Sequence, residues 1–331
     1  MRRVLLALIV LPLLGLPFTI GPRTAAAAQT WTVLAGGNTK DWAVVSNAYH
    51  PRVVEIAVGD TVKWQVEGFH TVTFLSGAQP LALEVEEGGK RYLNPQVFFP
   101  VGDASYDGTG LRNSGVPKEF PKPSSYQLTF TKAGTYHYYC AIHGPAQAGT
   151  VVVGARARST PAAVLAKGKA EQQATLRAGQ AALAKLAATR KGNEVVVPMI
   201  GDARAGYSVF RYTRGPLTVK RGTTVTWVMK DPFEIHTVTF FAGARQPELI
   251  VAEPQPGGPP RLRFHEQVLM VSKTQTYDGR GMLNSGILFP EGTPPMLPKR
   301  YSLTFTKPGR YEYVCQIHTP VEQMKGVIVV Q

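Results

Sequence analysis

The 331 residues include only two cysteines, Cys140 and Cys315, too few for a disulfide scaffold and too widely spaced for a zinc finger. Charged residues are also sparse, at 18% against 44% apolar, a balance that excludes disorder and coiled coil for most of the chain. Beyond the N-terminal region no stretch is apolar enough to span a membrane. Turn formers are what the chain has in quantity: 33 Gly and 26 Pro point to many short strands rather than long helices. The length suggests two or three globular units.

The N-terminus reads as a targeting segment. Met1-Arg2-Arg3 is basic, Val4 to Ile20 is apolar, and Ala25 to Ala28 supplies the small residues that a signal peptidase needs. Residues 1–28 are therefore expected to be a signal peptide, cleaved near Ala28, with the mature chain soluble in the periplasm, cell envelope or extracellular space. The alternative is an uncleaved membrane anchor, which Pro12, Gly15 and Pro17 disfavour as a stable helix. Neither cysteine lies near the N-terminus, so no site is expected for lipid attachment of the bacterial lipoprotein kind.

The chain repeats itself. Tyr106-Asp107-Gly108 to Asn113-Ser114-Gly115 recurs as Tyr277-Asp278-Gly279 to Asn284-Ser285-Gly286; His70 to Phe74 recurs as His236 to Phe240, and Tyr126 to His143 as Tyr301 to His318. A repeat this long implies two whole domains, 29–153 and 194–331, each with its own core. Residues 154–193 between them are of different character. Thr160 and Pro161 offer an N-cap and a first helical residue, predicting a helix from Pro161 to about Ala188, stopped by Gly192. Leu165, Leu176, Leu183 and Leu186 can share its apolar face. This linker carries a net charge of +7, against −1 on residues 29–153 and +5 on 194–331. No folded basic surface with base-reading partners accompanies it, so nucleic acid is not an expected partner. A solvated helix face explains the charge better than docking to an anionic surface, although the latter stays open.

Within each copy the pattern is of strands. Val53 to Val58, a Gly59-Asp60 turn and Thr61 to Trp64 read as a hairpin, repeated over Leu217 to Trp227; Tyr126 to Phe130 and Thr135 to Cys140 read as another pair. Short strands at regular spacing with Gly and Pro turns predict an all-β chain of antiparallel sandwiches. Neither copy has the intervening helices of a parallel α/β fold.

Chemistry gathers at the strand ends. Cys140 and His143 in the first copy, and Cys315 and His318 in the second, follow aromatic-rich strands; His70 and His236 precede their cysteines by 70 and 79 residues. A sandwich brings loops from distant hairpins to one end, and one thiolate with two imidazoles suits copper in both oxidation states. The competing use of two cysteines in an exported chain is a single disulfide. It would require the two equivalent loops to face each other at bonding distance. His50, His137 and His265 have no histidine counterpart in the other repeat and are expected at the surface.

Each copy resembles the cupredoxin family of plastocyanin- and azurin-like blue copper proteins nearly end to end. The resemblance rests on Gly59-Asp60-Thr61-Val62-Lys63-Trp64, the later His70, Tyr138-Tyr139-Cys140-Ala141-Ile142-His143 and the closing Gly149 to Val153. It implies two tandem Greek-key β-sandwich domains joined by a helical linker. It also implies two type 1 copper sites, ligated by His70, Cys140 and His143 and by His236, Cys315 and His318. A weak axial ligand is expected two residues before the glycine of the last strand: Met324 in the second copy and Gln147 in the first. Thr71 and Thr237 stand where plastocyanins have Asn, which leaves open the hydrogen bond usual there. The function so implied is electron transfer by Cu(I)/Cu(II) cycling with redox partner proteins, without enzymatic activity. A copper carrier or reservoir would favour Met-rich or exposed His-rich ligands, and seven Met are spread over the chain. A two-domain copper oxidase or nitrite reductase would need further histidines, typically in His-x-His pairs, and none occurs.

Overall fold

The computed structural model describes residues 27–319 and 321–331. The expected signal segment therefore lies outside the described residues apart from Ala27 and Ala28. Among the described residues no helix is long and apolar enough to cross a membrane.

Each repeat folds as two facing sheets. In the first, one five-stranded sheet runs Tyr49–His50, Thr30–Gly36, Thr61–Glu67, Ser124–Phe130, Ser105–Tyr106; the other runs Arg112–Asn113, Thr73–Phe74, Gly134–Cys140, Gly144–Gly154, Val53–Ala57. The second repeat copies this plan, with Glu194–Asp202, Thr224–Lys230, Arg300–Phe305 and Thr276–Tyr277 facing Leu217–Val219, Lys325–Val330, Gly309–Val314, Thr239–Phe240 and Leu283–Asn284. Alternation sets which face turns inward: Val62, Trp64 and Val66 in one copy, and Val225, Trp227 and Met229 in the other, point into the core while their neighbours do not. Trp64 packs edge-on against Phe74 and Tyr138, and Trp227 likewise against Phe240 and Tyr313. Cys140 and Cys315 belong to the same buried clusters as these aromatics.

Three expectations are corrected. The segments joined at Gly59-Asp60 are not a hairpin: Val53–Ala57 pairs with Gly144–Gly154, whereas Thr61–Glu67 pairs with Thr30–Gly36 and Ser124–Phe130 in the opposite sheet. The same holds for Ser124–Phe130 and Gly134–Cys140, which lie in different sheets. The turns are arches that carry the chain across the core. The sheets are also mixed rather than antiparallel, because Thr30–Gly36 runs parallel to Thr61–Glu67 and Val53–Ala57 parallel to Gly144–Gly154. Finally, the linker helix ends at Lys185, and Thr189–Lys191 then pairs with Glu194–Asp202 as a short strand.

The helix docks by small residues rather than by its leucines. Its buried positions are Val164, Gly168, Thr175 and Gly179. A Cβ at Gly168 would stand 2.5 Å from the His50 carbonyl oxygen, and one at Gly179 would stand 2.3 Å from Val44 Cγ1, so only glycine permits this approach. Leu176, Leu183 and Leu186 flank that face, packing on Val44 and Val209, and Leu165 is half-buried. Gln172 donates to the Gly36 carbonyl at 2.8 Å, and Thr175 Oγ1 to the Ala205 carbonyl at 3.0 Å. The helix thus spans both repeats.

The repeats are joined directly as well. Val44–Ser46 of the first pairs antiparallel with Tyr207–Val209 of the second, matching Val44 with Val209, Val45 with Ser208 and Ser46 with Tyr207. Two hairpins, Glu84–Glu87/Lys90–Leu93 and Ile250–Glu253/Arg261–Phe264, meet over the same junction. Tyr92 donates to Glu253 at 3.2 Å and Arg261 to Glu87 at 2.6 Å. An apolar cluster lies under them, containing Leu93, Val97, Phe98, Tyr139, Ala141 and Phe264.

Candidate metal centres

Cys140 ends its strand, and the turn through Ala141 and Ile142 brings His143 back beside it before Gly144 starts the next strand. His70 arrives from the opposite sheet, over the crossing that begins at Gly68. The three side chains converge with Nδ1 of His70 3.1 Å from Nδ1 of His143, which is 3.3 Å from Cys140 Sγ. In the second repeat His236 Nδ1 and His318 Nδ1 are 3.1 Å apart and lie 3.8 and 3.4 Å from Cys315 Sγ. Among the described residues these are the two groups whose donor atoms converge as a metal would require. Both cysteines are free and fully buried within their own repeat, so the disulfide alternative does not apply.

Electrostatics favour a thiolate in each cluster. Burial would raise the Cys140 thiol, but His143 and then His70 outweigh it and hold it well below the ordinary range; His318 and His236 do the same for Cys315. The thiolates also receive backbone hydrogen bonds, from Thr71 N at 3.4 Å and Thr237 N at 3.3 Å. The threonines that replace the expected asparagines keep the loops tied together. Thr71 Oγ1 accepts the Ala141 N–H at 2.8 Å, and Thr237 Oγ1 accepts the Gln316 N–H at 2.9 Å. Tyr49 and Tyr212 donate their hydroxyls to the Thr71 and Thr237 carbonyls.

The repeated Asn-Ser-Gly motif, for which the sequence suggested no role, braces these loops. Asn113 accepts from Thr73 Oγ1 at 2.8 Å and donates to the carbonyls of Gln96 and Val97, while Ser114 Oγ accepts the Val72 N–H. Asn284 and Ser285 make the equivalent bonds to Thr239, Gln267, Val268 and Val238. Gly149 and Gly326 are fixed by packing: a Cβ would stand 2.4 and 2.3 Å from the rings of Tyr138 and Tyr313, which support the cysteines.

Both expected axial residues are fully buried. Gln147 Oε1 lies 2.9 Å from His143 Nδ1, and its Nε2 has no hydrogen-bond partner, an orphaned polar group within the first cluster. Met324 packs in the same core cluster as Cys315, its N–H donating to the His318 carbonyl and its carbonyl accepting from Cys315 N. The donor chemistry of both groups fits copper: one soft thiolate and two imidazole nitrogens, all turned inward.

The remaining histidines are placed differently from each other. His137 is exposed and His265 half-buried, capping a short helix at Glu266–Leu269. His50, expected at the surface, is buried at 3% exposure and lies 2.8 Å from Ser46 Oγ, because the linker helix covers the edge strand that carries it.

Glu234 belongs to no repeated motif. It is buried between the repeats, with Oε1 3.2 Å from His143 Nε2 and Oε2 3.3 Å from His318 Nε2. Asn47 Nδ2 donates to its Oε1 at 3.0 Å. Asp231 Oδ1 accepts the N–H groups of Phe233 and Glu234, fixing the turn that presents it. His143 and His318 hold this carboxyl well below the ordinary range in spite of burial. Phe210 stacks on His318 at 4.2 Å between centroids. Beside these rings is an apolar cavity of about 270 Å³, walled by residues of both repeats including Trp42, Phe69, Phe98, Ile142 and Ile317. A carboxylate just before a candidate ligand, where the other repeat has Gly68, was the available signal.

The two facing sheets, repeated, with a His/Cys/His cluster at one end of each, define a chain of two cupredoxin-type domains with two candidate copper sites. Two solved structures are similar to part of this chain. A methionine-to-glutamine mutant of amicyanin in its Cu(I) form is 26% identical, covering 45% of this chain and 89% of that one at a TM-score of 0.24. The reduced Cu(I) form of a proline-to-glycine mutant of amicyanin at pH 4 is 27% identical over 43% of this chain and 86% of that one, also at 0.24. No protein-family model and no curated protein matches the chain.

Proposed function

We propose that the chain is a two-centre copper protein that transfers electrons, with redox proteins as its donor and acceptor. The observation that carries this is the convergence, in each repeat, of a thiolate and two imidazole Nδ1 atoms in a buried pocket braced from outside. His70, Cys140 and His143 would hold one copper, with Gln147 as axial neighbour; His236, Cys315 and His318 would hold the other, with Met324. Copper bound there would supply one-electron cycling between Cu(I) and Cu(II). The chain's own part is to keep the ligands in one arrangement through both states: Thr71, Asn113 and Ser114 lock the first histidine loop, and Thr237, Asn284 and Ser285 the second. Little ligand movement means little reorganisation on electron transfer. His50, His137 and His265 are dispersed, which favours a carrier over an oxidase with a multinuclear cluster. Burial of all six ligands favours a carrier of electrons over a carrier of copper.

Copper analysis and visible absorption of the purified chain test this. Two coppers per chain and an intense thiolate-to-copper band are expected, with Cys140→Ser and Cys315→Ser each removing about half. A colourless chain after copper loading would refute it.

A further inference from the structure

One carboxylate serves both centres. The two oxygens of Glu234 each lie against the outer ring nitrogen of one candidate ligand histidine, at 3.2 Å from His143 Nε2 of the first repeat and 3.3 Å from His318 Nε2 of the second. We propose that Glu234 is the bridge through which the two centres exchange electrons within the chain. The inference rests on the copper reading above and extends it from two separate carriers to a coupled pair.

The route is short. From the first centre it runs through the His143 ring to Oε1, across the carboxyl carbon to Oε2, and on through the His318 ring to the second centre. It consists of two N···O contacts, of 3.2 and 3.3 Å, and a single carboxyl group. Around it the walls are largely apolar, with Ile142, Ile235, Ile317 and Phe210 lining the adjoining cavity. The negative charge of the carboxylate and the low polarity nearby both strengthen its attraction for the two rings. The carboxylate is held in place by Asn47 and by the turn that Asp231 caps, so the bridge is prebuilt. An outer carboxylate also makes each imidazole a stronger donor and fixes its ring. In the transfer itself one centre loses an electron and the other gains it; the total charge of the pair is unchanged, and no proton has to move.

The test uses the full copper-loaded chain with Glu234→Gln and Glu234→Asp. Glutamine retains the size but has one accepting oxygen, so one of the two bonds is lost. Aspartate retains the charge but is a methylene too short to reach both rings. Copper content is measured first, since a wild-type chain that binds none fails the proposed function rather than the bridge. Fast one-electron reduction then follows the electron between centres, and potentiometry reads both potentials. Both variants are expected to slow the internal transfer about 10- to 100-fold. Glu234→Gln should also raise the potentials of both centres, by about 59 mV for each tenfold change in the one-electron equilibrium. A readout free of metal is the imidazole N–H resonances of His143 and His318, which Glu234→Gln should shift together. Wild-type transfer rates in either variant, or a potential shift confined to the second centre, would overturn the assignment.

Discussion

Thr71→Val removes one oxygen from the first centre while leaving almost the same volume. That oxygen accepts the Ala141 N–H at 2.8 Å and lies 2.9 Å from Thr73 Oγ1, joining the loop of His70 to the residue after Cys140. Thr73 keeps its bond to Asn113, so the group left stranded is the Ala141 amide, buried beneath the cluster. An unsatisfied buried N–H costs about 1–3 kcal/mol. As a local opening free energy this corresponds to roughly 5- to 150-fold faster exchange. The assay is amide hydrogen exchange on the metal-free protein, which reads Ala141 directly and does not require the two domains to unfold together. The Gln316 amide, which uses Thr237 in the same way, is the internal control: it should stay protected in Thr71→Val and lose protection in Thr237→Val. Thr71→Ser restores the acceptor and should restore protection. Unchanged exchange at Ala141 in Thr71→Val would refute the reasoning, because the amide would then have another partner.

Other outcomes follow from single features. His50 is held down to about 4 by burial first, then by the charges of Arg52 and His70. Its folded value lies below the ordinary 6.5, so its contribution is complete above that pH and is lost as pH falls toward 4, by about 3 kcal/mol. Urea unfolding of the metal-free chain across that range should show the loss, and His50→Gln should flatten it. Gln147→Met, in a Cys315→Ser background that isolates the first centre, should raise its potential, because a thioether favours Cu(I) more than an amide oxygen does; potentiometric titration showing no change would exclude Gln147 as axial ligand. Gly179→Ala should lower the melting temperature, since a Cβ 2.3 Å from Val44 Cγ1 overpacks the helix contact by about 1–3 kcal/mol, more than the gain in helix propensity returns.

The two converging His/Cys/His groups were legible in the sequence because the repeat printed them twice at matching positions, and because thiolate and imidazole together narrow the chemistry. Strand positions were legible from alternation. Sheet membership was not, since inward alternation in Val53–Ala57 and Thr61–Glu67 looks the same whether the turn between them folds back or crosses the core. The docking face of the linker helix was hidden for a related reason: hydropathy credits Leu176 and Leu183, while close approach is made by Gly168 and Gly179, which score as nearly neutral. His50 was misplaced because the repeat offers no partner for it and the covering element lies over a hundred residues away. Glu234 acts on His143 across a junction that no local pattern encodes.

The pairing of Val44–Ser46 with Tyr207–Val209 has a consequence for how such a site can arise. Tyr49 and Tyr212 make the same hydrogen bond, and four residues before each stand Val45 and Ser208, the central partners of the ladder. Equivalent residues therefore face each other, as they do across the two-fold axis of a homodimer. A true homodimer of either half would repeat every side chain across that axis, giving two glycines or two carboxylates at the place where Gly68 and Glu234 now stand, and two buried like charges would repel. Joining the halves in one chain lifts that constraint. Covalent fusion thus permits a single carboxylate to stand between the two equivalent histidines, 3.2 and 3.3 Å from them, and serve both centres, an asymmetry that association of identical subunits could not provide.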